Sequence, residues 1–291
     1  MVKWSALIFI FFAGLLAVSV ACRNVPFYNN PEISYRINAP DKVFFLPRIL
    51  TEISGITLLD SNIMACVQDE KGTVFFYDLN QKDLINHLSF WKKGDYEDIL
   101  FHNDVIYVVK SNGNLYTIKD YNSSKPVMEK HSTPLCKGND VEGLTYDDRS
   151  GTLWMACKGD AGLCEEKEGK KAIYAFSLEQ HRLIEKAVME IDVTSLTGEV
   201  DPKRLHAFAP SGIAIHPITK EIYIISSVGR LLLIFSPEKK LLQTIPLQHR
   251  KMTQPEGICF DKAGNLYISN EGRGGAGNIM YFEYQEPNEA K

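Results

Sequence analysis

The chain has very little net charge: 32 Lys and Arg stand against 36 Asp and Glu in 291 residues, a formal −4 at pH 7. Without the first 21 residues, whose only charged member is Lys3, the balance is −5. Neither value supplies the basic surface that a polyanion needs, which excludes nucleic acid as a partner. Catalytic signatures are missing as well. There is no G-x-S-x-G, no HExxH and no phosphate loop, and the seven His residues form no paired constellation. The glycine-rich stretch Gly272 to Gly277 lacks the Lys and Ser/Thr of a phosphate loop and falls between strand patterns, so it reads as a hairpin connection. The six cysteines include no CxxC spacing, which removes the usual zinc sites. With Cys22 set aside, an odd number remains and at least one thiol is unpaired. Cys66 and Cys259 lie in strand patterns as small apolar residues, whereas Cys136, Cys157 and Cys164 are placed for one disulfide among them.

Long apolar runs are scarce too, and the one present decides the compartment. Lys3 precedes an uncharged, almost wholly apolar stretch from Trp4 to Ala21, the layout of a secretory signal. It ends in "SVAC", which resembles the lipobox of bacterial lipoproteins, with Ser19 standing where Leu is usual. The expected organisation is a lipoprotein-type signal peptide over residues 1–21, a lipidated Cys22 opening a tether over 22–31, a single domain over 32–285 and a tail over 286–291. Such a protein is held on a membrane of the bacterial cell envelope by acyl chains, each buried methylene adding about 0.8 kcal/mol. An ordinary cleaved signal or an uncleaved anchor are the alternatives.

What the chain has in abundance is a repeat. Five times a polar or acidic opening leads into a hydrophobic run, a turn and two more runs. The openings are "EISGITLLD" from Glu52, "DYEDILFHN" from Asp95, "DVEGLTYDD" from Asp140, "APSGIAIHP" from Ala209 and "QPEGICFDK" from Gln254. Aligned on Gly55, Asp98, Gly143, Gly212 and Gly257, they are spaced by 43, 45, 69 and 45 residues. A multi-stranded unit of roughly 40 to 50 residues is the signature of propeller blades. The fold class expected is all-β, a five-bladed β-propeller with four antiparallel strands, A to D, in each blade. A six-bladed ring is the alternative, but the long step contains "VTSLTGEVDPKRLHAFAP" after Asp192, which suits a loop and one helical turn and lacks three hydrophobic runs. The fifth unit stops after three strands, at "IMYFEYQ", and "ISYRIN" (Ile33 to Asn38) is expected to supply the fourth and close the ring.

Strand A of every blade lines the central channel, so equivalent positions converge on one ring. The residues before the aligned positions are Ser54, Glu97, Glu142, Ser211 and Glu256. Three carboxylates facing one another cannot all ionise without a compensating charge. A hard cation such as calcium, which takes six to eight oxygen ligands, would provide it. So would Lys110, Lys158, Arg230 or Arg273 at the B-strand ends. Asp98 and Asp140 adjoin the ring as outer partners. The B strands end in further polar residues, among them Asp69, Glu70, Asn270 and Glu271, and strand direction brings these to the same face as the ring, forming a polar mouth.

The segments "DVEGLTYDDRSGTLWMACKG", "PSGIAIHPITKEIYIISSVGRLLLIF" and "QPEGICFDKAGNLYISNEG" resemble the SdiA-regulated family of bacterial envelope β-propellers, which is related to NHL-repeat propellers. The resemblance implies five blades, an envelope location and a calcium ion at the polar face, and it implies no established enzymatic activity. Its carry-over is clearest at Glu142 and Glu256, which stand in intact Glu-Gly pairs. Glu97 is followed by Asp98 instead of Gly, and Ser54 and Ser211 replace the acid. The function expected is a calcium-binding module that recognises a protein or small molecule through Asp69, Glu70, Asn270 and Glu271. A calcium-assisted hydrolase of phosphoester or ester substrates at the same mouth is the other class of function.

Overall fold

The structure is a computed structural model that describes residues 34–163 and 167–286. Residues 1–33, which include the expected signal, Cys22 and the whole expected tether, lie outside the described residues, as do 164–166 and 287–291.

The first strand, β1 (Lys42–Phe45), precedes four complete blades. Blade 1 is β2 (Ile53–Leu58), β3 (Ile63–Gln68), β4 (Thr73–Asp78) and β5 (Asp83–Ser89). Blade 2 is β6 (Tyr96–His102), β7 (Val105–Lys110), β8 (Leu115–Lys119) and β9 (Val127–His131). Blade 3 is β10 (Val141–Asp147), β11 (Thr152–Cys157), β12 (Lys170–Ser177) and β13 (Arg182–Asp192). Blade 4 is β14 (Gly212–Ile215), β15 (Ile222–Ser226), β16 (Leu231–Phe235) and β17 (Leu241–Pro246). Blade 5 has β18 (Pro255–Phe260), β19 (Leu266–Asn270) and β20 (Asn278–Phe282), and β1 completes it. Every sheet is four antiparallel strands. The innermost strands β2, β6, β10, β14 and β18 each touch the next around a closed ring. The chain is a five-bladed β-propeller.

The N-terminal closure is present but made by a different segment from the one expected. β1 pairs with β20, Lys42 opposite Tyr281 and Phe45 opposite Asn278, and residues 34–38 form turns. The alternation of "ISYRIN" reports one buried side correctly, since Tyr35 and Ile37 are buried with the blade 4 and blade 5 core. What buries them is packing over hairpin ends. Tyr35 donates to Gly264 O at 2.5 Å, and Asn38 bonds Pro246 O and the amide of Gln248.

The core is divided among the blade interfaces. Each of five apolar clusters joins two neighbouring blades, as Trp154 and Ile173 of blade 3 meet Ile224 and Leu233 of blade 4. The insertion after Asp192 contributes to that cluster through Val193, Leu196, Leu205 and Phe208. It forms a loop and one short helix, α1 (Pro202–His206), whose first turn is capped by Asp201 accepting from Lys203 N at 2.9 Å. Near the axis the backbones crowd. A Cβ on Gly257 would lie 2.7 Å from Ser54 O, and one on Gly55 would lie 2.5 Å from Asp98 Cα, so these positions require glycine for space.

Candidate functional site

The channel mouth is built by β-bulges. In β6 the pairing jumps from Tyr96 opposite Lys110 to Asp98 opposite Val109, leaving Glu97 as the extra residue. In β10 it jumps from Val141 opposite Cys157 to Gly143 opposite Ala156, leaving Glu142. β2 and β18 carry the same irregularity over Ser54–Gly55 and Glu256–Gly257. A bulge inserts one residue and re-aims its side chain. The local register thus places an acid or a serine where the first strands converge.

The structure brings the three glutamates into one electrostatic group. Burial pushes the Glu97 carboxyl up to about 10, assisted by Glu142 and Asp95. Burial likewise raises Glu142 to about 8, against the pull of Lys158 and with repulsion from Glu256 and Asp140. Glu256 is raised to about 7 by burial, with Lys158 and a hydrogen bond to Gln254 opposing it. The compensating charge is Lys158, at the end of β11, whose Nζ lies 2.6 Å from Glu142 Oε1. Burial works against this ammonium, yet Glu142, Glu256 and Asp140 together hold it above the ordinary lysine value. Of the four cations considered for this role, Lys158 makes the direct ion pair, and Arg273 also acts on Glu256. Lys110 lies over the Tyr96 ring, Arg230 bonds Met252 O and Arg273 bonds Gln254 Oε1.

Of the two ring serines, Ser211 binds backbone groups through its hydroxyl. Ser211 Oγ donates to Pro255 O at 2.7 Å and accepts from Ser227 N at 3.1 Å. Ser54 is buried, and its carbonyl accepts from Ser269 Oγ at 2.6 Å. The Ser211 hydroxyl is thus occupied by two backbone groups.

Beside the ring, Asp69 and Glu70 line an open cavity of about 400 Å³ with Lys93, Gly94 and Asp95. The Asp69 Oδ1 atom is buried without a hydrogen-bond partner, and burial, followed by Glu52, Glu70, Glu271 and Asp95, raises its carboxyl to about 6. Glu271 is half-buried and acts on both Asp69 and Glu256, so the mouth is one continuous acidic field. Two expected members are placed elsewhere. Asn270 is fully buried and donates to Asn278 Oδ1 at 3.3 Å, while its own Oδ1 is buried without a hydrogen-bond partner. Asp98 faces the blade interface, where its carboxylate accepts the amides of Ile99 and Leu144.

Asp95 and Glu52 were missed as members of the mouth. Ser111 donates to Asp95 Oδ2 at 2.5 Å. The signal for both was in the repeat: Glu52, Asp95, Asp140 and Gln254 each stand two residues before a ring position.

The cysteines divide differently from one part of the expectation. Cys66, Cys157 and Cys259 are free thiols. Cys136 is disulfide-bonded, and Cys157, a free thiol, takes no part in that bridge. Buried at the end of β11, Cys157 packs in the apolar core between blades 2 and 3.

A closed propeller with an acid-lined channel mouth is the class that this fold and site define. The SdiA-regulated family model matches residues 33–273, and the chain belongs to that family. No curated protein matches the sequence. Among solved structures, the chain is similar to glutaminyl cyclase from Myxococcus xanthus, with TM-score 0.56 and 11% identity over 85% of this chain and 96% of that one. It is also similar to a luciferin-regenerating enzyme, with TM-score 0.52 and 15% identity over 84% and 95% of the two chains. At these identities the likeness is one of fold.

Proposed function

We propose that this propeller is a calcium-stabilised binding module of the bacterial cell envelope, anchored by a lipid on Cys22, that takes a protein or small-molecule ligand at its acidic mouth. The observation that carries the reading is the mutual repulsion of Glu97, Glu142 and Glu256 at one mouth, with Lys158 paired to Glu142. The carboxyls outnumber the cations that act on them, Lys158 and Arg273, and hard oxygen donors suit calcium. Glu97, Glu142 and Glu256 would hold the ion. When bound, it would supply the charge that lets these carboxylates ionise together. As the side chains stand, no three Asp, Glu, His or Cys residues are grouped to hold a metal among the described residues, so occupancy calls for a rearrangement around Lys158.

The position of Ser34, Tyr35 and Gln285, at the two ends of the described residues, suits anchoring. Tyr35 bonds the hairpin at Gly264, and Gln285 N donates to Ser34 O at 2.9 Å. Both ends of the described domain therefore lie on the face opposite the mouth, and a lipid attached upstream would leave the mouth open. Hydrolysis has less support, because the Ser211 hydroxyl is committed to backbone groups.

The reading is tested on the full chain purified in detergent. Calcium is expected to raise the melting temperature by mass action, since it binds the folded ring. Glu142→Gln should lose most of that gain, while the exposed Glu185→Gln on β13 keeps it. An equal calcium response in wild type and Glu142→Gln would show that the ring holds no ion.

A further inference from the structure

Blade 4 gathers positive charge on the mouth side that the acidic ring does not use. Three segments bring it there, all at the strand ends that face the mouth: the insertion before β14 carries Lys203 and Arg204, the turn between β15 and β16 carries Arg230, and the loop after β17 carries Arg250 and Lys251. The contacts that join them centre on Arg230. Its carbonyl accepts from Arg204 Nη2 and from Leu247 N, the latter at 2.8 Å, and its own Nη2 donates to Met252 O at 3.1 Å. Arg204 Nε donates to Gly229 O at 2.9 Å. Both arginines are thus held by backbone carbonyls, which fix their position and leave their charge uncompensated. Among the described residues, Arg204, Arg230, Arg250 and Lys251 make no ion pair. Burial, followed by Arg230, lowers the Arg204 guanidinium against the pull of Asp201, and the Asp201 carboxylate already accepts from Lys203 N. After burial, Lys251 and Arg250 lower His249 in the same way. Arg230 Nε is a buried donor without a hydrogen-bond partner. An unmet donor on a charged group is costly, and an anionic acceptor relieves it.

We propose that the blade 4 rim is an oxyanion site, in which Arg230, backed by Arg204, Arg250 and Lys251, holds the phosphoryl group of a soluble phosphate monoester. A guanidinium presents its donors in a planar fork that matches a phosphoryl group through two parallel bonds. The phosphoryl group brings three strong acceptor oxygens and nearly two negative charges, enough to meet Arg230 Nε and to offset neighbouring cations together. The ends of the described domain lie on the opposite face, so an anchored propeller turns this rim away from its own membrane, and a soluble ester is the source in place of a lipid headgroup. Occupancy of the site does not depend on calcium.

The experiment is calorimetry on the full chain in an uncharged detergent, titrated with glycerol 3-phosphate, inorganic phosphate or acetate at an ionic strength fixed with sodium chloride. Wild type should bind glycerol 3-phosphate, with acetate weaker by about tenfold or more. Arg230→Met should weaken the phosphate ester by about tenfold or more, and Arg230→Lys, which keeps the charge and loses the fork, should weaken it several-fold. Arg182→Gln, exposed on β13, should stay within about twofold of wild type. No binding of either phosphate by wild type, or equal binding by Arg230→Met, would overturn the site. Acetate binding as tightly as the ester would overturn the phosphoryl assignment, and inorganic phosphate binding more tightly than the ester would overturn the ester. If Arg230→Met does not fold, phenylglyoxal labelling of wild type decides by mass spectrometry. Glycerol 3-phosphate should slow modification of Arg230 several-fold and leave Arg182 unchanged; an unchanged rate at Arg230 rejects the site.

Discussion

Asp98 in blade 2 accepts the backbone amide of Leu144 in blade 3 at 2.7 Å through Oδ2, while its Oδ1 accepts its own neighbour Ile99 at 2.8 Å. The carboxylate is fully buried, and burial raises it well above the ordinary range despite these two donors. Four of the five repeats have glycine here, and Asp98 takes the place as an inter-blade clasp, with Gly55 on its other side leaving the space it needs. Asp98→Ala would strand the Leu144 amide at a blade interface. The expected cost is about 1–3 kcal/mol, read from urea denaturation midpoints, with Asp98→Asn losing less because it retains one acceptor.

The three ring glutamates make stability depend on pH in a stated direction. Their ordinary value is 4.5, and in the folded chain they are raised to about 7, 8 and 10 for Glu256, Glu142 and Glu97. Between the two values the folded state keeps a proton that the unfolded state has released, so raising the pH favours unfolding. Their contribution is complete below about pH 4.5 and is lost as the pH passes each folded value, the last near 10. Glu97→Gln should flatten the upper part of this decline. Urea midpoints at about pH 5, 7 and 9 measure it, and a wild-type midpoint that rises over this range would contradict the assignment.

Ring closure by β1 gives a test that separates two N-terminal segments. Phe44 is buried in the cluster between blades 5 and 1, so Phe44→Ala should cost about 3–5 kcal/mol. Tyr35→Phe removes only the bond to Gly264 O and should cost about 1 kcal/mol. The reverse order in a denaturation series would mean that the segment around Tyr35 closes the ring.

Anchoring is checked at Cys22. Cys22→Ser should abolish incorporation of radioactive palmitate and shift the protein out of the mature membrane-bound pool. Label retained by the variant, or never taken up by wild type, would count against a lipid on this residue.

The five-unit period, the four strands of each blade and the identity of the ring residues were legible in the sequence because they follow from local causes. Strand alternation, turn residues and a repeated register set them within about 45 residues of chain, and the convergence of Glu97, Glu142 and Glu256 then follows from closing the ring. The choice among four cations did not follow. Lys110 and Lys158 both end a second strand, and only the folded neighbourhood sends one over Tyr96 and the other to Glu142. Asp98 was misplaced for a related reason: it follows the bulge at Glu97, and a bulge reverses the facing of the residues that follow it, so alternation counted along the strand cannot say which side chain meets the channel and which meets the next blade. The alternation of residues 33–38 likewise showed that one side is covered without showing by what. Periodicity along the chain determined the propeller; contacts between residues far apart in sequence decided where Lys158, Asp98, Asn270 and Tyr35 point, because each answers to partners that the local pattern does not contain.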